Sequence, residues 1–156
     1  MENPKGLTNS YVERLCKKIL KRHKFVGVFP CDIQPVCKSN IFSIIFNTGD
    51  SKSKGEHFIA IFANSRYLYY FDSFGEQPND LNIIEFIKHN IKNRKLITFN
   101  QKVQSDQSNF CGFYCIAFLL AKDRQLYHKF NQIFNKNNLK QNDVNIIYFI
   151  ITILAK

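Results

Sequence analysis

The sequence predicts one α+β domain over residues 1–156, in which a small, mostly antiparallel sheet packs against a buried central helix with further helices around it. Hydrophobic residues make up 45% and aromatic residues 15% of the chain, which is enough to fill one core. Strand-like and helix-like apolar patterns follow one another without a linker or an internal repeat. The stretch 109–121 is helical in pattern and has no polar face, so we expect it in the middle of the domain.

The first half of the chain is predicted to form one helix and three strands. Apolar residues recur at helical spacing over residues 10–24, and Ser10 with Glu13 has the pattern of a capping box. Residues 25–40 contain two prolines and a glycine, and we predict a loop there. Short apolar runs then predict strands at residues 41–47, 57–63 and 67–73, with a polar loop at 48–56 and a tight turn before the third strand.

The second half is predicted to be mainly helical. A loop at 101–108 precedes the apolar helix, and the last helix holds the longest apolar run, the ten residues 146–155. A membrane-spanning helix needs about 20 apolar residues, so we predict that this run is buried in the domain and expect no membrane association. The predicted elements are a helix at 80–93, a strand at 95–100, and helices at 109–121, 124–136 and 142–154.

The cysteines and the charge indicate the setting in which the protein works. Five cysteines without zinc-ligand spacing, and no signal-peptide pattern, predict reduced thiols, an intracellular location and no bound metal. The formal net charge is +10, and two windows without acidic residues, 14–24 and 88–102, concentrate the positive charge. Such windows are either solvated helix faces or contacts for a polyanion such as nucleic acid. We expect the protein to be a monomer.

The ends of two neighbouring strands contribute the first part of a candidate site. His57 begins one predicted strand, and Asp72 ends the next one after a tight turn. Antiparallel pairing brings the start of one strand beside the end of its partner, so His57 and Asp72 are predicted to be neighbours. The other histidines are expected at the surface, because they lie in polar or basic stretches: His23, His89 and His128.

Cys111 lies where the polar loop meets the apolar helix, in the predicted first turn of that helix. Ser108 or Asn109 is a suitable N-cap. Free N–H groups and the positive end of the helix dipole favour the thiolate there, which is the form that attacks a carbonyl. Cys115, one turn deeper, lacks this field and is predicted to be a small core residue. Taken alone, Cys111 could be core filling too.

The four polar residues taken together predict nucleophilic catalysis. A cysteine protease needs a thiol, an imidazole that takes its proton and a group that orients the imidazole. Cys111 supplies the thiol, His57 supplies the imidazole, and Asp72 can hold the ring through Nδ1–H. Gln104, in the loop before the cysteine, can donate from its NH₂ group to an oxyanion alongside the backbone N–H of Cys111.

The order of these motifs resembles the adenovirus protease family and the related SUMO-specific proteases. The stretch GEHFIAIF is similar to the family's His motif, with Phe58 in place of the usual Trp, and YYFDSFG is similar to its acidic motif. In VQSDQSNFCGFYC the glutamine stands seven residues before the cysteine, which is the adenovirus-type spacing. The resemblance runs from about residue 25 to residue 121.

This resemblance implies a cysteine endopeptidase of viral or virus-like origin that hydrolyses peptide bonds through an acyl-enzyme. Its catalytic set would be Cys111, His57, Asp72 and Gln104. It would cleave structural precursor proteins beside small residues such as glycine during particle maturation, in the host nucleus or cytoplasm and in the virion. The resemblance also implies stimulation by DNA or a short viral peptide, without a metal or small-molecule cofactor.

Two other functions stay open at this point. A protease that removes SUMO or another ubiquitin-like modifier would use the same catalytic set, and SUMO proteases also have an aspartate at the position of Asp72. A basic nucleic-acid-binding domain without catalysis would make the four residues a coincidence.

Overall fold

The computed structural model describes residues 6–48 and 57–156, so the predicted loop at 48–56 lies outside the described residues except for its first position. The helices and strands found there confirm the α+β fold class. In chain order they are α1 (Asn9–Ile19), β1 (Lys24–Pro30), β2 (Phe42–Asn47), β3 (Phe58–Ala63), β4 (Tyr67–Phe71), α2 (Leu81–Ile91), β5 (Lys95–Thr98), α3 (Cys111–Asp123), α4 (Tyr127–Gln132) and α5 (Leu139–Leu154).

These strands form one sheet whose spatial order follows the chain, β1-β2-β3-β4-β5. The three central strands are antiparallel, whereas β1 and β5 each pair in parallel with their neighbour at the two edges. Every residue of β2 and β3 is buried, because both faces of the sheet are covered. Double-sided burial explains why these two strands are almost continuously apolar instead of alternating.

The helix whose apolar pattern predicted a central position lies at the centre of the domain. α3 packs against β3, with α1, α4 and α5 around it on the same face of the sheet. Phe71 of β4 stacks on Phe118 of α3, with ring centroids 4.7 Å apart and planes 7° from parallel. On the opposite face, α2 covers the sheet through Ile83, Phe86 and Ile87.

β1 occupies part of the predicted loop, so the loop prediction is wrong over the first residues of that stretch. The strand tolerates Gly27 because its register shifts between Phe25 and Val28, a bulge at which Gly27 adopts φ +148. A Cβ on Gly27 would lie 2.6 Å from Oε1 of Glu13, so another residue there would displace the carboxylate in addition to straining the backbone. Pro30 ends the strand at the edge of the sheet, where its missing N–H costs no ladder hydrogen bond.

The start of α1 differs from the predicted capping box. Thr8 is the N-cap, and its side chain accepts a hydrogen bond from the N–H of Tyr11 at 3.2 Å. Glu13 instead accepts from the backbone N–H of Val28 at 3.3 Å. The carboxylate therefore joins α1 to the bulge of β1, a contact that the local pattern around Ser10 could not reveal.

Candidate active site

His57 and Asp72 meet beside the paired ends of β3 and β4, which confirms that they are neighbours. His57 immediately precedes β3, and Asp72 immediately follows β4. Nε2 of His57 donates to Oδ1 of Asp72 at 2.8 Å, and the two side chains are 16% and 6% exposed. The expectation that Asp72 holds Nδ1 is wrong. Because Asp72 takes Nε2, Nδ1 is the ring nitrogen left for Cys111.

The turn after β4 holds Asp72 and covers His57. The backbone N–H of Phe74 donates to Oδ1 of Asp72 at 2.8 Å, and the ring of Phe74 lies 4.8 Å from that of His57. Gly75 has φ +73, and a Cβ there would lie 2.6 Å from the carbonyl carbon of Gln101. Glycine is therefore needed for the turn to rest against the loop that carries Gln104. The Asp-to-Gly spacing is a turn signal that could have been found in the sequence.

The surroundings of His57 determine its charge. Burial of the imidazole lowers its pKa, but the hydrogen bonds to Asp72 and Cys111, together with the negative charges of these groups, outweigh burial and raise the pKa to about 9. His57 is therefore protonated at neutral pH and donates from both ring nitrogens. An imidazolium beside a cysteine favours the thiolate, the nucleophilic form of that side chain.

Cys111 is the first residue of α3 and is partly exposed. The first N–H groups of a helix have no acceptor within the helix, and they stabilise negative charge at this end. Gly112 is buried, and a Cβ there would touch Leu7 at 3.3 Å and Phe58 at 3.4 Å. The start of the helix is thus packed closely on one side while the thiol stays within reach of solvent.

The N-cap of α3 differs from the prediction. Phe110 occupies the N-cap position without a capping side chain, in place of Ser108 or Asn109. Oγ of Ser108 accepts from the backbone N–H of Phe110 at 3.2 Å, so the serine provides a hydrogen-bond acceptor for the residue before the helix. The same hydroxyl also bonds to Gln104 and to Asp143.

Three other thiols have raised pKa values. Cys115 is fully buried, and burial raises the pKa of its thiol well above the ordinary value. Burial likewise raises the pKa of Cys16 to about 12 and that of Cys37 to about 11. These thiols stay protonated, and the prediction of Cys115 as a core residue is confirmed.

Gln104 is buried, and both ends of its side-chain amide are hydrogen-bonded. Oε1 accepts from the hydroxyl of Ser73, and Nε2 donates to the carbonyl oxygen of Ser108 at 2.9 Å and to its Oγ at 3.2 Å. The backbone N–H of Gln104 also donates to the carbonyl of Ser73 at 3.1 Å. The donor end of the amide therefore faces the segment that leads into Cys111, and its acceptor end faces the residue after Asp72. No local pattern in the sequence indicated Ser73 as part of the site.

The side chain of His23 is only 2% exposed, so its prediction as a surface residue is wrong. His89 and His128 are exposed as predicted. Nδ1 of His23 donates to Oδ1 of Asp123 at 2.8 Å, and Nε2 accepts from the hydroxyl of Ser43. Burial lowers the pKa of His23 more than Asp123 raises it, so the ring is neutral. Ser43 is fully buried and out of reach of a substrate. The three residues therefore form a structural link between the end of α3 and the sheet.

The two basic windows differ in how much of their charge is available. The Lys and Arg residues of window 14–24 are all exposed, and Lys17 pairs loosely with Glu13 at 3.8 Å. In window 88–102, the guanidinium of Arg94 is taken up by three backbone carbonyls and lies over the ring of Phe42. The first window therefore presents more charge to a polyanion.

The described residues contain neither a candidate metal site nor a candidate membrane span. Within residues 6–48 and 57–156, no group of three His, Cys, Asp or Glu side chains could hold a metal ion. No helix of those same ranges is both long and apolar enough to cross a bilayer.

Comparisons with known proteins show which family and which fold this chain is similar to. A family model described as adenovirus endoprotease matches residues 25–148. The chain is 29% identical to a protease of Avian adenovirus 8 (79% of this chain, 66% of the relative) and 26% identical to a protease of Bovine adenovirus 4 (73% and 64%). It therefore spans somewhat less than two thirds of the length of the curated relatives it matches. A crystal structure of an ASFV protease has a similar fold, with TM-score 0.65 and 18% identity over 92% of this chain and 67% of that one.

Proposed function

Because the chain belongs to the adenovirus endoprotease family, we propose that it is a cysteine endopeptidase with Cys111 as nucleophile and His57 as acid and base. The observation that carries this proposal is the hydrogen-bonded series Asp72–His57–Cys111 at the first residue of α3. It supplies an imidazolium, a carboxylate that orients it and a thiol at the positive end of a helix. All three come from different elements of the fold, so their meeting is a property of the tertiary structure.

The reaction proceeds in two steps through a thioester. The thiolate of Cys111 attacks the peptide carbonyl, and the imidazolium of His57 gives a proton to the leaving amine as the C–N bond breaks. Neutral His57 then takes a proton from water as the water attacks the thioester, which releases the acid and restores the thiolate of Cys111 beside the imidazolium. Asp72 keeps the ring oriented through Nε2 in both steps.

Gln104 and the helix start stabilise the oxyanion of each tetrahedral intermediate. The backbone N–H of Cys111 is one donor, and the NH₂ group of Gln104 is the other. Both N–H bonds of Nε2 have acceptors on Ser108, and on this proposal one of them leaves Ser108 to donate to the oxyanion as it forms. Loss of one such donor typically lowers kcat by about 10² to 10³.

The substrates that fit the family are viral structural precursor proteins, cut beside glycine or other small residues during particle maturation. On this proposal the protein acts in the infected cell and in the virion. A peptide library read by mass spectrometry would define the cleavage site. Glycine absent from the positions next to the cut would contradict this substrate class.

The nucleophile can be tested with a matched pair of cysteine variants. Cys111→Ala should abolish cleavage of glycine-containing peptides, whereas Cys115→Ala should retain it, because Cys115 only fills the core. Iodoacetamide at neutral pH should alkylate Cys111 first, read by peptide mass mapping. Cleavage that survives Cys111→Ala would refute the assignment. Labelling by ubiquitin or SUMO vinyl sulfone probes in place of peptide cleavage would favour a deconjugating protease.

Window 14–24 is the better candidate for contact with nucleic acid, because its positive side chains are exposed. We expect Lys17→Ala/Lys18→Ala/Lys21→Ala to weaken binding of duplex DNA and to lower the salt dependence of log Kd by about 3. A triple substitution of Lys88, Lys92 and Lys95 is the control of equal charge. Equal weakening by both triples would show that binding follows net charge alone, and unchanged binding would exclude window 14–24.

A further inference from the structure

A group of polar side chains lies beyond Gln104, where α5 meets its loop. The hydroxyl of Ser108 donates to Oδ1 of Asp143 at 2.9 Å, and the hydroxyl of Tyr114 donates to the same oxygen at 2.8 Å. Asp143 belongs to α5 and lies 35 positions after Ser108 in the chain. The two steps of peptide hydrolysis described above make no use of it.

In this group of side chains, the donor and the acceptor of each hydrogen bond can be assigned. A carboxylate only accepts, so the single hydrogen of the Ser108 hydroxyl goes to Asp143. The oxygen of Ser108 then has only lone pairs for Gln104, and it accepts from Nε2. At the other end of the amide, Ser73 donates to Oε1. The series Ser73 to Gln104 to Ser108 to Asp143 thus acts together with the carbonyl of Ser108 to specify which end of the amide faces the Cys111 segment.

The neighbouring residue of α5 acts on the same loop in another way. Nδ2 of Asn142, which is fully buried, donates to the backbone carbonyl of Val103 at 2.8 Å. This contact holds the backbone beside Gln104, whereas Asp143 acts on the side chain through Ser108. α5 therefore controls both the position of the loop and the orientation of the amide.

We propose that Asp143 is a positioning residue for peptide hydrolysis, which keeps the NH₂ end of Gln104 on the side of the Cys111 segment by binding the hydroxyl of Ser108. The inference rests on the proposed function, because Gln104 is an oxyanion donor only in that reaction. Without Asp143, the hydroxyl of Ser108 is free to rotate and donate to Gln104. Only the carbonyl of Ser108 then holds the NH₂ group on this side, so the amide turns more often and presents its oxygen, which repels the negative charge of the intermediate.

The test is a double-mutant cycle on hydrolysis of a fluorogenic peptide amide that ends in two glycines. Asp143→Ala should lower kcat about 10- to 100-fold with little change in KM, since a misdirected donor loses part of the 10²- to 10³-fold effect of an oxyanion donor. Gln104→Ala should lower kcat at least as far. The double variant should be no slower than Gln104→Ala, because both changes remove one interaction.

Three measurements separate positioning from a structural role. Asp143→Asn keeps an acceptor oxygen of the same shape and should restore most of kcat. Tyr114→Phe removes the other hydrogen bond to Asp143 without touching Ser108, and should change kcat less than threefold. The rate of Cys111 alkylation by iodoacetamide should be unchanged in Asp143→Ala, because alkylation forms no oxyanion. Should Asp143→Ala not fold, Ser108→Ala takes its place in the cycle with Gln104→Ala.

The outcomes distinguish the inference from the function on which it rests. The positioning role alone would be overturned if the decrease in kcat of the double variant equalled the product of the two single decreases. It would also be overturned if Tyr114→Phe lowered kcat as much as Asp143→Ala. A wild-type protein that does not cleave the peptide, or a Cys111→Ala variant that cleaves it equally, would overturn the proposed function and the inference with it.

Discussion

The alkaline limb of the pH profile of peptide cleavage reports the protonation of His57. Because the pKa of His57 is raised to about 9, kcat/KM of the wild-type protein should fall as the pH rises through about 9. At that point His57 loses the proton that it gives to the leaving amine.

Asp72→Asn tests the origin of this raised pKa. The substitution keeps the shape of the side chain but removes the charge that lies 2.8 Å from Nε2. An opposite charge at this range raises the pKa of a histidine by about 1 to 3, and burial of the ring continues to lower it once the charge is gone. We therefore expect the alkaline limb to move from about pH 9 to between roughly pH 6 and 8.

The assay is kcat/KM of a fluorogenic glycine-containing peptide from pH 5 to 10 at constant ionic strength. Glu85→Gln is the matched control, because it removes an exposed negative charge from α2 on the opposite face of the sheet. The control should keep the limb of the wild-type protein. An alkaline limb that stays near pH 9 in Asp72→Asn would refute the reasoning, since Asp72 would then not be what keeps His57 charged.

The same pKa predicts how stability depends on pH. The folded-state pKa of about 9 exceeds the ordinary value of 6.5, so protonated His57 stabilises the fold fully below about pH 6.5. This contribution is lost as the pH rises through about 9. The difference in Tm between the wild-type protein and Asp72→Asn should therefore shrink over this window, and a difference that grows would contradict the sign.

Three further substitutions test the packing around the site. Gly75→Ala puts a Cβ 2.6 Å from neighbouring backbone at φ +73, and should lower the free energy of unfolding in urea by about 1–3 kcal/mol; an unchanged urea midpoint would show that the turn relaxes freely. Lys122→Met removes an ammonium that lies 3.3 Å from the ring centre of Tyr69, and should lower the free energy of unfolding in urea by about 1–2 kcal/mol. KM should stay unchanged, and a raised KM would place Lys122 at the substrate. His23→Phe leaves Asp123 without its imidazole partner and should lower the free energy of unfolding by about 1–3 kcal/mol. A loss well below about 1 kcal/mol would mean that the backbone N–H groups of Lys21 and Arg22, with the guanidinium of Arg124, satisfy this carboxylate.

Local sequence patterns were sufficient to predict a feature where the contacts that determine it join residues close in the chain. The tight turn between β3 and β4 makes His57 and Asp72 neighbours only 15 positions apart, and the prediction of that contact is confirmed. The absence of a polar face on the helix that begins at Cys111 predicted its central position for the same reason, since burial on all sides needs apolar residues on all sides. β1 was not predicted, because a glycine at position 27 is typical of a loop. The bulge and the contact with Glu13, which place this glycine in a strand, are visible only in the structure.

The sequence by itself determined the fold class, the order of most elements and the set of residues in the candidate site. The tertiary structure decided which nitrogen of His57 faces Asp72, and that His23 lies inside the domain. It also decided the direction of the Gln104 amide, through contacts that join residues 31 and 35 positions apart. Orientation of a side chain depends on donors and acceptors brought in by other elements, and no local pattern records which of them will arrive.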